Sequence, residues 1–161
     1  MRSGTAFAFG ALFLTGHGVA GEPKPVVTVA PSEDIVLAQG ESGEARLFVV
    51  VAEGFHLQAN PASEAYLIPT RLELAPSSGV KPGDPVYPPG RPYRLQGASS
   101  DLSVYEGRFE IRIPLRASPE AQPGKHSLVG KLRYQACDAR RCFFPSSVPV
   151  ELRTAVVPPK A

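Results

Sequence analysis

Tryptophan is absent from this chain of 161 residues, cysteine occurs only twice, and no long apolar run lies outside the N-terminus. No segment repeats the helical spacing of apolar residues, and 18 prolines disfavour long helices. Serine nucleophiles with partners, paired carboxylates and glycine-rich phosphate loops are missing in any convincing form. There is no Lys/Arg run, and the formal charge is only +2, which argues against a nucleic-acid partner. These absences leave an all-β domain and turn attention to the two cysteines.

The N-terminus sets the compartment. Arg2 precedes the nine-residue apolar run from Ala6 to Leu14, and Gly18, Val19 and Ala20 follow it. A positive start, a short apolar core and small exit residues describe a secretory signal peptide. The run is far below the roughly 20 residues that span a bilayer. Residues 1–20 are therefore read as a signal peptide, 21–34 as a leader and first strand, 35–157 as one domain and 158–161 as a tail. Cutting after Ala20 leaves 161 − 20 = 141 residues and a charge of +1. That is enough chain for one core without staples. The expected product is periplasmic or secreted, is not inserted in the membrane once the signal is removed, and resides where disulfides persist.

Strand-like segments punctuate the rest. Val26–Ala30 and Ala45–Val51 are rich in β-branched residues. In Arg108–Leu115, Phe109, Ile111, Ile113 and Leu115 alternate inward while Arg108, Glu110 and Arg112 alternate outward. Arg71–Ala75, His126–Cys137 and Val148–Leu152 read the same way, and Pro149 hints at an edge. Seven or eight short strands with Gly/Pro turns point to an immunoglobulin-like antiparallel β-sandwich, with a small barrel as the other option. Lys81–Ser100, with five prolines and little alternation, reads as a long loop.

Cys137 and Cys142 flank Asp138-Ala139-Arg140-Arg141 between extended segments, as the shoulders of a hairpin turn. Opposed antiparallel residues stand about 4.5–5.5 Å apart at Cα, a span that a disulfide accepts. A loop of about six residues contributes only roughly 2 kcal/mol as a staple. Arg140 and Arg141 favour a thiolate, and Asp138 opposes them. From the residues alone, the pair is an exchange centre, a local staple or, with no histidine or third cysteine nearby, least readily a metal site. No metal and no cofactor is expected. One of Phe143 and Phe144 should alternate into the core, leaving the other at the surface or in contact with a partner.

The run Tyr134-Gln-Ala-Cys137 followed by Cys142-Phe-Phe-Pro145 resembles the N-terminal periplasmic domain of the thiol:disulfide interchange protein DsbD. So do Gly54–Pro61, Tyr66–Thr70 and Val104–Gly107. The chain is similar to the secreted single-domain relatives called disulfide-bond correctors, over roughly residues 35–153. The resemblance implies an immunoglobulin-like sandwich in which Cys137 and Cys142 exchange with thioredoxin-like donors and acceptors, as a protein-disulfide reductase component. It makes Cys142 the sulfur that enters mixed disulfides. It places a shielding side chain, Tyr93 or Leu95, on Pro88–Ser100, with Phe143 and His56 as further shielding or partner contacts. His56 and Gln58 stand where the family has tyrosines. The turn between the cysteines is one residue shorter than in the best-known members. The other function class is a non-catalytic binding module with a structural hairpin disulfide.

Overall fold

Alternation of side chains along extended backbone, with apolar residues on one face, produces the strands of this domain. The computed structural model describes residues 25–159 apart from Pro31, Ser32 and Ala98; the segment expected to be a signal peptide lies outside the described residues. In chain order the strands are β1 Val27–Ala30, β2 Ile35–Ala38, β3 Ser42–Val51, β4 His56–Gln58, β5 Arg71–Leu74 and β6 Val80–Pro82. They continue as β7 Arg91–Tyr93, β8 Leu102–Tyr105, β9 Arg108–Ala117, β10 Gly124–Tyr134, β11 Ala136–Cys137 and β12 Ser146–Val157. No helix occurs among the described residues.

Two four-stranded sheets, ordered β1-β3-β9-β6 and β2-β12-β10-β5, form the sandwich. All pairings are antiparallel except that of β2 with β12, which is parallel. One apolar cluster joins the inward residues of both sheets, among them Leu47, Ile111, Ile113, Leu128, Leu132 and Leu152. In β9, Ile111, Ile113 and Leu115 face the core as their alternation requires. Phe109 is only half-buried and stacks on Tyr105 at 4.4 Å.

Pro149 does not mark a full edge strand. β12 pairs with β10 from Ser146 to Val156, but β2 covers it only from Thr154 to Val157. Pro149 thus lies where β12 has one described neighbour, and its missing N–H breaks no ladder.

A third sheet, β11-β4-β8-β7, is built from strands of two to four residues. It occupies part of what the sequence presents as a loop: Lys81–Ser100 contains the end of β6, a bridge from Val86 to Arg112, and β7. Short, proline-containing strands carry too few residues to show a period, so pairing with distant partners makes them visible only in the fold. One face of this sheet, with Leu57, Tyr105 and Ala136, joins the main core. The other face packs Leu102 and Val104 with Leu67 in a separate small cluster.

Candidate functional site: a disulfide on the small sheet

β10 and β12 form one long hairpin, and the cysteines lie beyond its last ladder pair, Tyr134 with Ser146. The Phe143 amide donates to the Ala136 carbonyl at 2.8 Å, and the Asp138 amide donates to the Arg141 carbonyl at 2.9 Å. These bonds bracket Cys137 and Cys142, making them a non-hydrogen-bonded pair, the narrower of the two antiparallel kinds. Their sulfurs are bonded, and their Cα atoms are 3.9 Å apart, closer than the 4.5–5.5 Å expected from strand pairing alone.

Between the ladder and the cysteine pair, Gln135 on the outgoing arm faces both Phe144 and Pro145 on the returning arm. This two-against-one arrangement is a bulge, a device that redirects side chains. Phe143 stays half-buried, 6.0 Å from the Phe55 ring and under the Arg141 guanidinium at 5.1 Å. Phe144 is turned out and is 92% exposed. Gln135 pins the bulge: its Nε2 donates to the Phe143 carbonyl at 3.2 Å, and its Oε1 accepts from the Ile68 amide at 3.0 Å.

The turn is organised by Asp138, whose Oδ1 accepts from the amides of Arg140 at 2.8 Å and Arg141 at 2.9 Å. Those bonds, with the nearby guanidinium charges, hold its carboxyl below the ordinary range. Asp138 therefore builds the turn as well as opposing the two arginines.

β11 lies against β4 in a register that sets Cys137 opposite His56. His56 and Gln58 share a face of β4 by alternation, and Gln58 pairs with Val104. The Gln58 carboxamide reaches the disulfide, its Nε2 donating to Cys137 Sγ at 3.2 Å and to Cys142 Sγ at 3.8 Å. On the outer strand, Tyr93 pairs with Leu102 and lays its ring on His56 at 4.0 Å between centroids. Just before β7, Gly90 leaves no room for a Cβ, which would collide with Ser103 and Ala59.

The two sulfurs differ in exposure. Cys137 is wholly buried, whereas Cys142 is partly exposed and borders an open cleft of about 340 Å³ lined also by Gln135, Arg141, Phe143, Phe144 and Pro145. Cys142 is the member of the pair that borders the cleft, and Cys137 does not line it.

His56 is buried, and its Nε2 has no partner among the described residues. Burial pushes its pKa below the ordinary value, against the pull of Glu106 and Asp138. A neutral imidazole at neutral pH provides no positive charge for a thiolate. Tyr93 and His56 thus join the cysteines at one site, and Leu95 packs, as Tyr93 also does, against the small cluster of Leu67, Leu102 and Val104. Sequence reasoning assigned no role to Gln58 or Gln135. For Gln58 the available signal was a polar residue two positions from His56 on an inward-alternating strand. For Gln135 the signal was its place in the Tyr134–Cys137 run, while its role depends on a bulge that only the pairing defines. No group of three potential metal ligands occurs among the described residues.

An all-β immunoglobulin-like sandwich with a hairpin disulfide at one end of the fold defines the class of this domain. The family model described as "Thiol:disulfide interchange protein DsbD, N-terminal" matches residues 27–153, and the chain belongs to that family. Among solved structures it is similar to the N-terminal periplasmic domain of ScsB from Proteus mirabilis, at 15% identity and a TM-score of 0.52. That alignment covers 78% of this chain but only 44% of the other, so this chain spans less than half the length of that relative. The Neisseria meningitidis DsbD N-terminal domain in the reduced form aligns at 15% identity and a TM-score of 0.39, covering 69% of this chain and 77% of that one. No protein of curated function matches the chain.

Proposed function

We propose that this domain relays reducing equivalents by thiol–disulfide exchange through Cys137 and Cys142, between thioredoxin-like donor and acceptor proteins in an exported, oxidising compartment. The observation that carries this reading is the asymmetry of the pair: a buried Cys137 beside a Cys142 that opens onto an apolar cleft. A donor thiolate attacks Cys142, a mixed disulfide forms there and the donor's second thiolate resolves it; in the onward step Cys142 attacks the acceptor's disulfide and Cys137 is the resolving sulfur. Phe144 and the exposed Ile68, whose amide is held by Gln135, offer the small apolar surface that a docking partner needs. Tyr93 and His56 shield the buried side of the pair, Leu95 packs beside Tyr93 in the small cluster, and Phe143 lines the cleft at Cys142. No diffusible cofactor takes part.

The test is the reduction potential of the pair, read by equilibrating the purified chain with graded dithiol buffers, followed by trapping. A potential between roughly −180 and −270 mV lies among exchange catalysts, and one below roughly −300 mV marks a structural disulfide. Cys137→Ser should then trap a mixed disulfide with a thioredoxin-like protein through Cys142, and Cys142→Ser should trap none. A structural potential with no trapping would leave the other reading, a binding module with a stapled hairpin.

A further inference from the structure

Attack on Cys142 has a consequence for Cys137, which must leave as a thiolate into a fully buried site. Apolar burial penalises the charged sulfur and raises its pKa, and a leaving group of high pKa departs slowly. The donor that the structure places on this sulfur is Gln58 Nε2, at 3.2 Å.

The carboxamide is held in place by its own backbone. The Gln58 amide donates to the Gln135 carbonyl at 3.1 Å, while the Gln58 carbonyl accepts from the Thr70 amide at 3.0 Å and the Thr70 hydroxyl at 2.7 Å. Gln58 is entirely buried, and its Oε1 has no partner among the described residues. A buried amide with its donor end on sulfur and its acceptor end unmatched is costly unless another state uses it.

We propose that Gln58 is a catalytic residue of the exchange, its carboxamide N–H stabilising the thiolate that develops on Cys137. This rests on the relay reading above. In the first step a donor thiolate bonds to Cys142 Sγ, the Cys137–Cys142 bond breaks, and its electron pair goes to Cys137. In the second, the donor's other thiolate attacks the donor sulfur of the mixed disulfide and releases Cys142 as a thiolate. The donor departs as a disulfide, and the domain has gained two electrons and binds protons from water as its thiols form. Once Cys137 carries a proton, its S–H requires an acceptor. A half-turn of the carboxamide about its last torsion, which is soft and roughly two-fold, presents Oε1 to it.

Gln58→Leu and Gln58→Met remove the donor while keeping an apolar side chain of similar size. Each should slow reduction by dithiothreitol, per unit of attacking thiolate, by about tenfold or more, as loss of a hydrogen bond to a charged group does. Urea midpoints should stay near that of the parent. In a Cys142→Ser background, adding Gln58→Leu should raise the pKa of the Cys137 thiol, followed by thiolate absorbance. Gln58→Glu should recover speed at acidic pH, where its carboxyl can donate, and lose it when ionised. In the parent protein, the side-chain amide resonances of Gln58 should move on reduction. Parental rates in both apolar variants with an unchanged Cys137 pKa, or Gln58 amide resonances indifferent to redox state, would overturn the assignment and leave the relay reading intact. A parent chain that resists dithiothreitol overturns both.

Discussion

The sandwich and the small sheet bury very different things. Along β3, β9, β10 and β12, strands of 10 to 12 residues pair over long registers, and their inward positions are almost wholly apolar. On β4, β7, β8 and β11, strands of two to four residues hold a disulfide against His56 and Gln58, both buried and each with an unmatched polar atom. Apolar burial over a large area provides stability, whereas a buried polar group without a partner opposes it. The difference therefore separates a region that holds the fold from one built around the disulfide, tolerated because the first is large.

The largest effect that tests this separation comes from the sandwich. Ile111→Ala, at a fully buried position of β9, should lower stability by about 2–5 kcal/mol in urea titration. The reduction potential of the folded protein should not move; a shift would mean that the two regions are coupled. Next comes the disulfide. Cys142→Ser should abolish exchange yet cost only about 2 kcal/mol, the chain-entropy value for so short a loop. A much larger loss would make the hairpin part of the structural framework.

The pH dependence of His56 is smaller. Its folded pKa is lowered, so the unfolded chain binds the extra proton more readily. The contribution is fully present above the unfolded value of about 6.5 and is lost as pH falls through it towards the folded value, at no more than about 1.4 kcal/mol per pH unit for one proton. Thermal unfolding of the parent between neutral and mildly acidic pH should show this slope, and His56→Leu should flatten it. The smallest effect on stability is that of Phe144→Ala, within about 0.5 kcal/mol because the ring lies in solvent. Exchange with a thioredoxin-like protein should nevertheless slow, while reduction by dithiothreitol stays unchanged. Equal slowing with both reductants would assign Phe144 to the disulfide itself and not to docking.

Much of the sandwich was legible in the sequence because Ile111, Ile113, Leu115, Leu128 and Leu132 recur at alternate positions over strands long enough to show a period. The cysteine shoulders were legible because the partners are five residues apart and meet within one hairpin. Arg91-Pro92-Tyr93 and His56-Leu57-Gln58 carried no such signal, since three residues bounded by proline or turns do not define a strand. The contacts of Gln58 with the sulfurs join residues 79 and 84 positions apart, beyond any local pattern.

By itself, then, the sequence determined an all-β domain and the position of its paired cysteines, because alternation and hairpin closure act over neighbouring residues. Tertiary structure alone decided which cysteine borders the cleft, which phenylalanine turns outward and which amide touches the disulfide. Those outcomes depend on the register of β4 against β11 and on a bulge at Gln135, and burial is a property of the packed chain.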